Sequence, residues 1–104
     1  MIYVREIGTI GIDGENPLYW RRYASINQFL NFFEEAEEGY RKAFENGDMA
    51  LDNFLFWSDV LYVLGEVNAA FEILNQAKEL YPNEAEILYR LVGLFYNIEE
   101  ETNA

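Results

Sequence analysis

Apolar residues recur at helical spacing along most of the chain. Trp20, Tyr23, Ala24 and Asn27 stand at i, i+3, i+4 and i+7, one face of a helix. Phe33, Ala36, Tyr40, Ala43 and Phe44 make a second stripe. Phe54, Trp57, Ser58 and Leu61 make a third, Val67, Ala70, Leu74 and Ala77 a fourth, and Leu88, Leu91, Val92 and Phe95 a fifth. Between the stripes stand residues that stop and start helices. Asn16-Pro17 reads as an N-cap followed by the first helical position, where the amide that Pro lacks would be unsatisfied anyway. Asn46-Gly47 fits a left-handed helix stop, with Asp48 placed to cap the next helix. Gly65 sits where the chain must turn back. Pro82-Asn83 closes one segment and caps the next, with Glu86 as capping-box partner. The pattern predicts an all-α fold with helices over residues 17–30, 33–46, 49–64, 67–80 and 84–98.

The stripes are copies of one another. A shift of 34 residues brings Trp20 onto Phe54 and Leu88, Tyr23 onto Trp57 and Leu91, and Ala24 onto Ser58 and Val92. The same shift brings Leu30 onto Leu64 and Ile98, Ala36 onto Ala70, Tyr40 onto Leu74, and Ala43 onto Ala77. Small residues such as Ala24, Ser58, Ala36 and Ala70 allow helix axes to approach to about 8–10 Å. A large residue one turn away fills the gap that remains. Each antiparallel helix pair leaves an apolar face uncovered, so neighbouring pairs must stack into a solenoid. The units are residues 17–50, residues 51–84 and a half unit over 85–98, with an acidic tail over 99–104. Residues 1–16 fit the template poorly, although Tyr3, Ile7 and Ile10 share one helical face. They read as the degenerate last helix of a preceding repeat, weakened by Gly8 and Gly11, or as an irregular arm laid over the first unit. The chain reads as a piece of a longer array.

These residues resemble the tetratricopeptide repeat, whose signature over 34 residues is an aromatic, Leu-Gly, Tyr, Ala, Phe and Pro. The second unit carries Trp57-Ser58, Leu64-Gly65, Ala70, Leu74, Ala77 and Pro82. The first carries Trp20, Tyr23-Ala24, Ala36, Tyr40 and Ala43, with Asp48 in place of Pro; the third carries Leu91, Phe95, Tyr96 and Ile98. Val92 is large for a small-residue position and Asn27 polar for an aromatic one. The resemblance implies that the stripe about 100° round from the inward one lines a concave groove for a peptide or a partner helix. That stripe, with its flanks, nominates Arg21, Ser25, Gln28, Leu55, Phe56, Asp59, Tyr62, Tyr89, Arg90 and Tyr96. Gly93 also lies on the stripe, and Leu18, Arg22, Phe29, Asp52, Val63, Glu86 and Asn97 flank it further. One branch of the family clamps the acidic tail of heat-shock chaperones with Lys, Asn, Asn, Lys and Arg. Arg21, Ser25, Phe56, Glu86 and Arg90 stand at those places, and the loss of an Asn to Phe and a Lys to Glu argues against that ligand.

Composition narrows the function. Half of the 104 residues are hydrophobic and 17% aromatic, enough for a core. The formal charge of −12 disfavours nucleic-acid binding and docking on an anionic membrane. With no Cys and no His, zinc of the Cys/His type, disulfides, thiol nucleophiles and His acid–base catalysis are excluded. No apolar run approaches 18 residues and no targeting signal is evident, which leaves a cytoplasmic location as the expectation. Gly8, Gly11 and Gly14 lack the spacing and the Lys of a phosphate loop, and Asp13-Gly14-Glu15-Asn16 leads into a helix cap rather than a calcium loop. Glu34, Glu35, Glu37 and Glu38 read as a solvated face, with Glu37–Arg41 and Glu38–Lys42 as i, i+4 pairs. Asp59 stands between the aromatic residues Phe56 and Tyr62, but no second catalytic group stands at fixed spacing. No cofactor, metal or catalytic residue is expected.

The expectation is therefore a non-enzymatic protein-interaction module. Self-association is the alternative. Nothing follows the fifth helix to cover Ile87, Leu91, Leu94, Phe95 and Ile98, and Glu99-Glu100-Glu101 should fray its end. A homodimer through the C-terminal helix would bury that patch.

Overall fold

The computed structural model describes residues 16–103, with side chains as far as Glu100; the readings of residues 1–15 lie outside it. The described residues fold as five α-helices, and no strand occurs among them. The helices are α1 (Pro17–Phe29), α2 (Phe33–Glu45), α3 (Leu51–Val63), α4 (Val67–Leu80) and α5 (Ala85–Asn103). Short connections fold the chain back on itself, and each helix packs on the next, α1 on α2 through to α4 on α5. No helix among the described residues is long and apolar enough to cross a membrane.

The helix ends follow local chemistry. The Asn16 side-chain oxygen accepts from the Leu18 amide at 2.9 Å, and Pro17 holds the first helical position. Three helices stop in the same way, each on a residue with positive φ: Asn31 (66°), Gly47 (105°) and Gly65 (83°). In each case the next amide reaches back five residues. Phe32 bonds to Asn27, Asp48 to Ala43 and Glu66 to Leu61, at 2.8 to 2.9 Å. Asn31 is the 34-residue counterpart of Gly65 and performs the same turn with a side chain that tolerates it.

Two ends depart from the sequence pattern. Asp48 is not the N-cap of α3, which begins at Leu51 after Ala50. Its carboxylate accepts from the Ala50 amide at 3.1 Å and from Arg21 Nε at 2.7 Å, so it ties the inter-unit loop to α1. The fifth helix does not end at Ile98 but continues through the three acids to Asn103. No Gly or Pro stands between Ile98 and Asn103, and Glu favours helix. The unfavourable dipole costs an exposed carboxylate only about 0.3–1 kcal/mol.

The core joins the units. Tyr40, Phe54, Val60, Leu74 and Ile87 are fully buried. The Phe44 ring lies 5.7 Å from Phe54 and 5.5 Å from Trp57, whose indole N–H donates to Glu37 at 3.2 Å. Between the first unit and the second, four pairs related by the 34-residue shift are buried alike: Ala24 with Ser58, Ala36 with Ala70, Ala43 with Ala77 and Tyr40 with Leu74. Gly39 adds a small residue outside the second stripe. A Cβ there would lie 2.7 Å from the Cβ of Ala24 and 3.0 Å from its backbone, so α1 and α2 touch at this crossing. On α2, Glu37 pairs with Arg41 at 3.5 Å as expected. Lys42 instead places its ammonium 5.3 Å from the centre of the Trp20 ring.

Three substitutions test this packing. Gly39→Ala gains about 0.5–1 kcal/mol of helix propensity, which overpacking of about 1–3 kcal/mol outweighs, so its urea midpoint falls. Gly93→Ala meets nothing within 4 Å and should raise the midpoint by the propensity gain. Trp57→Ala should cost about 3–5 kcal/mol in the same assay.

Candidate functional site

Two clefts open on the side formed by α1, α3 and α5. The first, about 230 Å³, is lined by Ser25, Gln28, Phe29, Tyr40 and Phe56. It shares Ser25, Tyr40 and Phe56 with a hollow of about 270 Å³ that adds Leu18, Arg21, Arg22 and Asp52. The second cleft, about 360 Å³, includes Asp59, Tyr62, Val63, Leu74 and Arg90, and is completed on α5 by Gly93 and Asn97. Positions 25, 28, 29, 40 and 56 become 59, 62, 63, 74 and 90 when 34 is added. The two clefts are one cup built twice by the repeat, with different side chains.

The floor of the first cup is Tyr40, from α2. Its hydroxyl donates to the Gln28 side-chain oxygen at 2.6 Å, and its ring centre lies 6.4 Å from that of Phe56. Its backbone carbonyl accepts from the buried Asn53 amide at 3.3 Å. Burial, reinforced by the negative charge of Asp59, pushes the Tyr40 hydroxyl pKa up to about 12. In the second cup Leu74 takes this place, and polarity enters from the wall. Arg90 on α5 donates from Nε and from an Nη to the two carboxylate oxygens of Asp59 on α3, both at 2.9 Å. A third contact, at 3.3 Å, runs from Arg90 to Glu86. The Asp59 bonds raise the Arg90 pKa against the opposing effect of burial. Arg21 is likewise held by Asp48, whereas Arg22 and Asp52 have no ion-pair partner among the described residues.

Of the residues nominated for a groove, the structure brings Arg21, Ser25, Gln28, Phe56, Asp59, Tyr62 and Arg90 to these clefts. Phe56 and Tyr62 are each 40% exposed. Leu55 is a correction: it is buried in the core, because α3 lies between two neighbouring helices and hides most of its circumference. Tyr89 and Tyr96 are 74% and 62% exposed and line neither cup. On α5 the wall is Gly93, which stands on the expected stripe, with Arg90 and Asn97 from its flank. The floor residues Tyr40 and Leu74 had been read as core; their equivalence under the 34-residue shift was the signal that pairs them.

The self-association patch also needs correction. Ile87 and Leu94 are buried, with Leu91 packed against the same core, because α4 sets the rotation of α5. Ile98 is half-buried. Phe95 is exposed although its ring centre lies 4.9 Å from that of Phe71. The exposed apolar face of α5 is Leu88, Val92 and Phe95. Their counterparts on α3, Phe54, Ser58 and Leu61, are buried.

No family model matches the chain, and no curated protein is significantly similar to it.

The raised Tyr40 pKa has a defined sign. The folded state holds this proton more tightly than the unfolded chain, whose tyrosine ionises near 10.0. The resulting stabilisation is fully present below pH 10 and disappears as pH rises through about 12. Tyrosinate absorbance should show Tyr40 as the latest-ionising tyrosine, a step that Tyr40→Phe removes, with Tyr23 also delayed by burial. The stability gap between wild type and Tyr40→Phe should change over that pH window and stay constant below it.

Proposed function

We propose that the chain is a non-enzymatic protein–protein interaction module of tetratricopeptide-repeat type, which receives a peptide or partner helix on the face formed by α1, α3 and α5. The observation that carries this reading is the cup repeated under the 34-residue shift. A packed core has no need to leave the same hollow open in successive units, whereas a ligand crossing the array meets it twice. The lining supports a binding role: aromatic and Arg side chains are the groups that dominate binding energy. Ion pairs hold Arg21 and Arg90, so little ordering entropy remains to be lost on docking. Because both guanidiniums already have carboxylate partners, a clamp for an acidic tail is disfavoured.

Self-association is the second reading, and the exposed Leu88, Val92 and Phe95 face favours it. The two readings separate by variant. Phe56→Ala and Tyr62→Ala, made in the whole chain, should weaken a partner captured by the wild type by about 1–3 kcal/mol while helicity and melting hold. Val92→Glu should leave that interaction intact. If Val92→Glu abolishes it and the cup variants do not, the interface lies on α5 instead. Sedimentation of wild type beside Val92→Glu at tens of micromolar reads the dimer directly, and a wild type that remains monomeric removes that alternative.

A further inference from the structure

We propose that the exposed apolar side of α5 is a second docking surface, for an amphipathic helix whose flanks carry Lys or Arg. It lies about half a turn round α5 from Arg90, Gly93 and Asn97, which wall the second cup, and it does not depend on the peptide-groove reading.

The repeat shows what fits there. Ala24 on α1 meets Gly39 on α2, where a Cβ would lie 2.7 Å from that of Ala24. Position 24 therefore faces the second helix of its own unit. Adding 34 gives Ser58 on α3, which is buried and belongs to a helix that α4 packs against. Adding 34 again gives Val92, which is exposed. Leu88, Tyr89 and Phe95 beside it are each more than half exposed, whereas their counterparts Phe54, Leu55 and Leu61 are buried. The side of α5 that is buried carries Ile87 and Leu94 instead. The exposed side is thus shaped for a helix that stands to α5 as α4 stands to α3. Both second helices carry small, large and small buried residues at i, i+4 and i+7: Ala36, Tyr40 and Ala43 on α2, and Ala70, Leu74 and Ala77 on α4. The occupant shares that stripe.

Charge decides between a foreign helix and a second copy. Glu84 stands one turn before Leu88 and Glu99 one turn beyond Phe95, in line with the apolar strip. Both are exposed, and neither has an ion-pair partner among the described residues. The one cation of α5, Arg90, is held by Asp59 and Glu86. Two copies of α5 laid antiparallel across a two-fold axis would set Glu84 of each against Glu99 of the other. Laid parallel, each acid would meet its own copy. Either way like charges meet at both ends of the strip, and each chain brings a net −12. A helix with Lys or Arg beside its apolar stripe meets both acids and covers the strip in one contact.

The test uses the full chain and three fluorescein-labelled helical peptides, read by fluorescence anisotropy. The first carries Ala, Leu and Ala at i, i+4 and i+7 between Lys-rich flanks. The second has Glu in place of each Lys, and the third is the first with its order shuffled. The first should bind about tenfold more tightly than either of the others. Val92→Gln should weaken it about tenfold, with helicity unchanged. Glu84→Lys combined with Glu99→Lys should narrow the gap between the Lys and Glu peptides by about as much. Phe56→Ala and Tyr62→Ala, in the cups, should leave binding unchanged. Equal binding of the shuffled peptide, no effect of Val92→Gln, or no binding of the first peptide at millimolar concentration overturns the proposal. A wild type that sediments as a dimer, and that Val92→Gln makes monomeric, also overturns it, since a second copy is then the occupant. If the cup variants abolish binding and Val92→Gln does not, the peptide lies in the groove; the docking surface on α5 falls and the peptide-groove reading stands.

Discussion

Tyr40 is the contact on which the rest of the arrangement depends. It is fully buried on α2, its hydroxyl bonds to Gln28 on α1, and its carbonyl accepts from Asn53 on α3. One residue thus fixes how the first helix pair meets the second. The same ring, facing Phe56, is the floor of the first cup. Stability and surface shape are coupled here: the side chain that closes the core also sets the depth of the hollow above it. In the next unit Leu74 closes the core without a polar group, and the link between neighbouring units passes to the Asp59–Arg90 pair. The price of the Asn53 contact is visible, since its side-chain oxygen is buried without a partner, whereas the residue 34 positions on, Ile87, is apolar.

The helices were legible because their stripes repeat and because turn residues punctuate them. Asn16-Pro17, Gly47 and Gly65 act through backbone geometry that depends on their own chemistry, so local sequence suffices. Asn31 was not recognised as a helix stop because Asn tolerates a left-handed conformation without requiring it. Asp48 was misplaced as a helix cap because its ion-pair partner, Arg21, lies 27 positions away in the chain. Gly39 shows the same limit: its role is a close approach to Ala24 on another helix.

The site was legible in part for a related reason. A stripe rotated from the inward one identifies which helix face turns away from the hairpin partner, and Ser25, Gln28, Asp59 and Tyr62 follow from that alone. On α5 the stripe holds only for Gly93, because α4 sets the rotation of that helix through Ile87 and Leu94. There the position of each residue depends on which helices surround it. Leu55 fails for the opposite reason, too many neighbours. Charge patterning was misleading at short range: Glu38 and Lys42 have the right spacing for a pair, yet the Trp20 ring offers Lys42 a better-placed site.

The central claim is that the two cups form one binding face. It is tested most directly by amide chemical-shift mapping of the full chain against a partner peptide that the wild type captures. The account predicts concurrent shifts around Ser25 and Tyr40 in the first cup and around Tyr62 and Asn97 in the second, with Leu88 and Val92 unmoved. Shifts confined to Leu88, Val92 and Phe95 would contradict it.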